Sequence, residues 1–174
     1  GQRHNEVANL WGYTCKKVYN DVGVEPELEE LDSEEMERKT ANVTDEARSD
    51  VRVRGFWSNR RNAFFDFRVF YPFASSHYGR SLAAIYKSNS LEKKRHYQER
   101  VAQVEDGSFT PMVMSSAGGM GPEMTIAFKF LAGRLAEKEL EGGNCASTVG
   151  VLRTRFSFAA ARSALVCLRG SRAL

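Results

Sequence analysis

Cysteine and histidine are scarce in this chain, and long apolar runs are missing. The three cysteines, Cys15, Cys145 and Cys167, form no CxxC pair. An odd, unspaced set excludes a disulfide framework and a structural zinc site, and it predicts a reducing compartment, nuclear or cytoplasmic. The three histidines, His4, His77 and His96, belong to no Ser/His/Asp arrangement with a local signature. The most apolar stretch, Phe156 to Leu168, is interrupted by Arg162 and is too short to span a bilayer. Nothing at the start reads as a signal peptide, so no membrane partner is expected. The chain opens on Gly1 rather than Met, which predicts a segment of something longer. Glycines Gly118, Gly119 and Gly121 follow a strand-like run, but without GxGxxG spacing or a Walker-type lysine they read as a plain turn rather than a nucleotide cradle. There are no internal repeats.

What is present is ordinary in bulk and uneven in layout. The chain has 174 residues, 42% of them hydrophobic, enough for one domain (1–174) with a real core. Net charge is +3. Acid gathers from Glu25 to Glu37, while base gathers from Arg48 to Arg68, Lys87 to Arg100 and Arg153 to Arg172. Separate basic blocks suit a nucleic-acid partner.

Apolar residues at helical spacing predict a first helix from His4 to Tyr19, ended by Gly23. Val24 to Leu28 reads as an edge strand because of Pro26, and Leu31 to Glu46 as an acidic loop. Two alternating runs, Ser49 to Trp57 and Ala63 to Phe70, form a hairpin linked by Ser58 to Arg61. Tyr71 to Arg80 reads as a loop, Ser81 to Val104 as a long charged helix and Phe109 to Ser115 as a buried strand. Helices over Glu123 to Leu140 and Thr148 to Leu168 close the chain. The order helix, three strands, helix, strand, two helices predicts an α/β fold: a small mixed sheet of about four strands flanked by helices.

The hairpin carries the most telling residues. Its odd positions (Val51, Val53, Phe65, Phe67, Val69) are apolar, so Asp50 and Asp66 point away from that layer. If paired residue numbers sum to an even value, the two carboxylates share one face. An odd sum would set Asp50 on the apolar side of its partner strand, which burial opposes. Two carboxylates on one face can seat a divalent ion such as Mg²⁺ or Mn²⁺. On the long helix, Leu91, Lys94, Tyr97, Gln98, Val101 and Val104 line up, which predicts Lys94 facing inward and Lys93 outward. Arg100 and Arg68 compete with Lys94 as the cation of the site. Glu6, in the first turn of the first helix, would complete an acidic cluster if that turn abuts the hairpin.

Taken in order, these pieces resemble the PD-(D/E)xK, or restriction-like, nuclease superfamily. More closely, they resemble the endonuclease-like domain at the C-terminal end of some non-LTR retrotransposon polyproteins and related transposon-derived animal proteins. The matching blocks are Arg3-His4-Asn5, Arg48-Ser49-Asp50-Val51, Phe65-Asp66-Phe67-Arg68-Val69, Tyr97-Gln98-Glu99-Arg100-Val101, Phe109 to Gly119 and Leu165 to Arg172. Ser49 stands where the family has proline. Arg68 stands at the superfamily's lysine, and Arg100 at the displaced lysine of the retrotransposon branch. The resemblance implies a restriction-endonuclease-like core and Mg²⁺-dependent nicking of DNA for retroelement integration, next to a reverse transcriptase domain in the same polyprotein. Asp50 and Asp66 would hold the metal, with Glu6 nearby. Lys94, Arg100 or Arg68 would supply positive charge, and Arg52, Arg54, Arg60 and Arg61 would grip the nucleic-acid backbone. Because arginine cannot give up a proton, the Lys-to-Arg changes favour a second reading: a catalytically inactive nucleic-acid-binding module.

Overall fold

The computed structural model describes residues 5–24, 49–103, 106–138 and 145–170, without the side chains of 5, 99, 100, 103, 145 and 166–170. Helix α1 (Asn5–Lys16) leads to strand β1 (Val22–Val24). Strands β2 (Val51–Arg54) and β3 (Asn62–Phe70) form the hairpin, and a short 3-10 turn, Ser75–His77, precedes helix α2 (Leu82–Gln103). Strand β4 (Ser108–Ser115) and helices α3 (Pro122–Lys138) and α4 (Cys145–Gly170) complete the described chain. The fold is α/β: a four-stranded mixed sheet, β1-β2-β3-β4, flanked by four helices. β1, β2 and β3 pair antiparallel, and β4 joins β3 in parallel. Among the described residues, no helix is long and apolar enough to cross a membrane.

Both faces of the sheet are covered, which is why β3 reads as a nearly continuous apolar run. On one face, Val51, Val53, Ala63, Phe65 and Phe67 meet α1, α3 and α4 in the main core. Trp11 of α1 sits at its centre, with ring centroids 5.2 Å from Phe65, 5.8 Å from Phe56 and 6.1 Å from Phe156. The close approach of α1 requires Gly12, because a Cβ there would lie 2.7 Å from a methyl of Val24. On the other face, α2 makes two smaller clusters: Phe64 and Val101 with Tyr97 and Phe109, and Phe70, Ile85 and Val113 with Tyr86.

Several boundaries differ from the sequence expectation. α1 stops at Lys16, not Tyr19, and the turn after it is closed by Val18 and Tyr19 N–H groups donating to the Cys15 carbonyl. Gly23 is not a helix stop but a β1 residue paired with Arg52. The hairpin loop opens at Gly55 (φ 79°), whose N–H donates to the Arg61 carbonyl at 2.8 Å, and Phe56 folds back into the core. The expected acidic loop, Leu31 to Glu46, lies outside the described residues. Pro111 is tolerated in β4 because, among the described residues, β4 is an edge strand with no ladder beyond it to need its missing N–H.

Candidate metal centre

The register of the hairpin settles the placement of the two aspartates. Val51 pairs with Phe65 and Arg52 with Phe64, so partner numbers sum to an even value. Asp50 immediately precedes β2, and continuing that register sets it opposite Asp66, on the face covered by α2, where the two carboxyl groups interact. Both are buried, at 7% and 3% exposure. Two backbone ties straddle Asp66 and hold Asp50 against it. The Phe67 N–H donates to Asp50 Oδ2 at 2.5 Å, and Ser49 Oγ donates to the Phe65 carbonyl at 3.0 Å. Ser49→Ala removes that donor, while the Phe65 carbonyl keeps its place in the ladder opposite Val51. The lost hydrogen bond is expected to lower unfolding free energy by about 1 kcal/mol in urea titrations.

Electrostatics mark the pair as unusual. Asp66 is pushed up from its ordinary 3.8 to about 6, first by burial and then by the neighbouring Asp50 carboxylate. Lys93 acts the other way, with its ammonium paired to Asp66 Oδ2 and its Nζ 5.9 Å from the Tyr97 ring centroid. Tyr97 is held in turn by stacking on Phe109 at 5.4 Å. Two buried like charges facing each other are costly unless a cation or a proton sits between them.

The cation is therefore Lys93, where the sequence predicted Lys94. The inward stripe of α2 runs Ile85, Asn89, Lys93, Tyr97, Val101, in steps of four, and Leu91 and Gln98 are exposed. Lys94 turns toward α3 and pairs with Glu123 at 3.0 Å. Burial opposes ionisation of Glu123, but hydrogen bonds from Lys94, its own N–H and Ser90 outweigh it and hold the carboxyl below its usual range. That pair lines a separate groove of about 810 Å³ between α2 and α3, away from the aspartates. Asn89, one turn before Lys93, is also buried, its amide donating to the Ile85 carbonyl at 2.8 Å. Sequence reading missed both Lys93 and Asn89.

The other candidates divide. Arg68 shares the face of Asp66 but pairs with Glu92 at 2.8 Å in a partly exposed bridge. The Arg100 side chain lies outside the described residues. Glu6 does not join the acids. It stands on α1, whose buried side packs against the opposite face of the sheet, and it accepts from Arg162 of α4 at 2.8 Å. Arg52 is bound to Asp21 at 2.7 Å and to Asn62 at 3.2 Å. Arg61 donates to the carbonyls of Asp106 and Gly107, bracing the hairpin loop against the start of β4. Arg54 and Arg60 are exposed, Arg60 with a positive φ of 66°. Cys15, the one cysteine whose side chain is described, is free and buried in the core, and burial pushes its thiol up.

Asp50 and Asp66 are the residues that could hold a hard divalent ion. Among the described residues no three His, Cys, Asp or Glu side chains converge. Mg²⁺, however, commonly takes only one or two carboxylates from the protein and fills its remaining positions with water and phosphate oxygens. Asp50 and Asp66 meet that need, and their mutual repulsion is what a divalent ion would relieve. Compared with models of protein families and with curated proteins, the sequence matches none.

Proposed function

We propose that this chain is a metal-dependent phosphodiesterase domain of the restriction-like kind, acting on DNA. One observation carries the reading: two buried carboxylates meet across the central hairpin, with a lysine ammonium from α2 on Asp66. A mixed sheet flanked by helices, with the acids on its central hairpin, supports the restriction-like core. A buried acid whose pKa is raised by burial and a neighbouring carboxylate, with a cation fixed on it, is a candidate for a working site.

Asp50 and Asp66 would hold Mg²⁺ or Mn²⁺. Such an ion, when bound, lowers the pKa of a coordinated water and offsets charge that builds on a phosphate. The residues of the chain do the rest. The Phe67 N–H and the Ser49 tie fix Asp50 beside Asp66. Lys93, shielded by Tyr97 and 19% exposed, keeps a positive charge at the carboxylates where a scissile phosphate would lie. Above about pH 6 Asp66 is ionised, so the pair is ready to bind at neutral pH. Arg54 and Arg60, exposed at the hairpin tip, suit contacts to the phosphate backbone, which position a duplex without reading its sequence. DNA as substrate, a retroelement parent and a neighbouring reverse transcriptase follow from the resemblance. The Lys-to-Arg changes that favoured a binding-only module lose their force, because Lys93 supplies the amine at another position.

Supercoiled plasmid is the test. The chain is expected to nick it in Mg²⁺ or Mn²⁺ and to stop in EDTA, and Asp50→Ala is expected to remove the activity. Binding that persists in EDTA with no cleavage in either metal would assign a binding module instead. An Asp50→Ala protein that still cuts removes the nuclease reading altogether.

A further inference from the structure

The segment between β3 and α2 exposes three aromatic rings that the fold does not use. Phe73 is 83% exposed, Tyr78 94% and Tyr71 56%. An exposed apolar surface can mark a partner's site. The segment that carries them is firmly built. Its turns are closed by N–H groups of Ala74, His77, Tyr78 and Arg80 donating to the carbonyls of Tyr71, Ala74, Ser75 and His77. The His77 ring donates to the Tyr71 carbonyl at 3.0 Å and sits edge-on against Phe70 at 5.6 Å. Arg80 ties the far end to α2 through Ser88 Oγ at 2.7 Å. Tyr71 and Phe73 meet edge to face at 5.7 Å. The rings are therefore displayed on a stiff frame, which lowers the entropy lost when something stacks on them.

Charge narrows the partner. Residues 67–91 contain no Asp or Glu in a chain that has 22, while His77, Arg80 and Lys87 fall within them; Arg68 is taken up by its bridge to Glu92. The segment leaves the end of β3, whose last residue, Phe70, is four positions beyond Asp66 on the same face, about 13 Å along the strand. Aromatic rings in basic surroundings, a short reach from a phosphate-binding site, have the makings of a base-stacking surface.

We propose that the 71–80 loop, through Phe73 and Tyr78, is a stacking platform for unpaired nucleobases of the strand held at the Asp50/Asp66 site. This rests on the nucleic-acid reading above and adds a substrate class to it: DNA with a single-stranded stretch beside the cleavage point. A membrane surface is the rival occupant of basic, aromatic surfaces, and the experiment separates the two.

Binding of the whole chain would be measured in EDTA by fluorescence anisotropy on two probes, a blunt duplex and the same duplex with an oligothymidine overhang. Vesicles of phosphatidylcholine with phosphatidylserine form a third arm. The wild-type chain is expected to prefer the overhang probe. The Phe73→Ala/Tyr78→Ala variant is expected to lose that preference by roughly 10-fold or more while binding the blunt duplex as before. Phe73→Trp should restore it relative to Phe73→Ala, with its indole fluorescence quenched by the overhang. Both rings are so exposed that folding is not at stake. Equal affinity of the wild type for the two probes overturns the platform, as does an unchanged preference in the double variant or ring-dependent binding to vesicles alone. Because binding is read without metal, the platform can stand if plasmid nicking fails, and nicking can stand if the platform falls.

Discussion

Lys93→Met is expected to slow Mg²⁺-dependent nicking by roughly 10²- to 10³-fold, the usual effect of removing one fixed group that stabilises developing charge. Lys94→Met is expected to leave the rate within a few-fold. The two lysines are neighbours in sequence and both partly buried, so general basicity cannot separate them. Geometry does: one ammonium is on Asp66 and the other on Glu123. Methionine keeps most of the length of the side chain and its contact with Tyr97, so the loss is mainly of charge. Lys93→Arg adds a second reading, since guanidinium stays protonated. A rate within about 10-fold of wild type would make the role electrostatic. A rate as low as that of Lys93→Met would make it one of proton transfer or compact fit. Initial rates on supercoiled plasmid, with thermal melts to verify folding, decide the matter, and equal rates for Lys93→Met and the wild type would sink the assignment.

The same pair of lysines shows where the sequence was legible. A strand alternates with a period of two, and a slip of one residue would carry Val51 and Val53 out of the core. That penalty is large, so the even register and the shared face of Asp50 and Asp66 could be read from the hairpin alone, and the structure bears both out. The order of elements was legible for the same reason: each change of hydrophobic period marks a change of element.

The phase of α2 was not legible. Its inward stripe holds Asn89 and Lys93 between Ile85 and Val101, polar residues where a core-facing helix is expected to be apolar. Counting apolar residues therefore selected a neighbouring stripe through Leu91 and Lys94. The polar gap has a cause across the interface. The α2 face of β3 runs Phe64, Asp66, Arg68, Phe70, so two polar positions there too lie between apolar ones. Two strand residues advance about 6.6 Å and four helix residues about 6 Å. The two stripes can therefore run side by side, polar against polar. Stepping by four from Ile85 to Val101 would have found Lys93, but only with Asp66 already known to lie beneath it. Glu6 failed for a different reason: which side of the sheet a helix takes is a matter of tertiary packing, and α1 took the side opposite α2.

Asp66→Asn is expected to stabilise the fold at neutral pH while it abolishes nicking. An acid whose pKa rises on folding from 3.8 to about 6 binds its proton more tightly in the folded chain. Below about pH 4 both states carry that proton, and the group costs nothing. Between about 4 and 6 the unfolded chain releases it first, so unfolding becomes easier as pH rises. Above 6 both states are ionised, and the whole penalty is present, on the order of 2–3 kcal/mol. Asparagine cannot ionise, keeps an oxygen for the Lys93 ammonium and is close to aspartate in size. Its stability should therefore be nearly level across this window. Melting temperatures of the two proteins should converge near pH 4 and separate above 6, with the variant higher. Mg²⁺ should then close the gap from the other side, raising the wild type above pH 6 and leaving Asp66→Asn unmoved, because only an ionised pair gains from the ion. A variant that melts below the wild type at pH 7.5 without metal would show that the pair is held by a satisfied ion network. The stored repulsion that makes these carboxylates a metal site would then not exist.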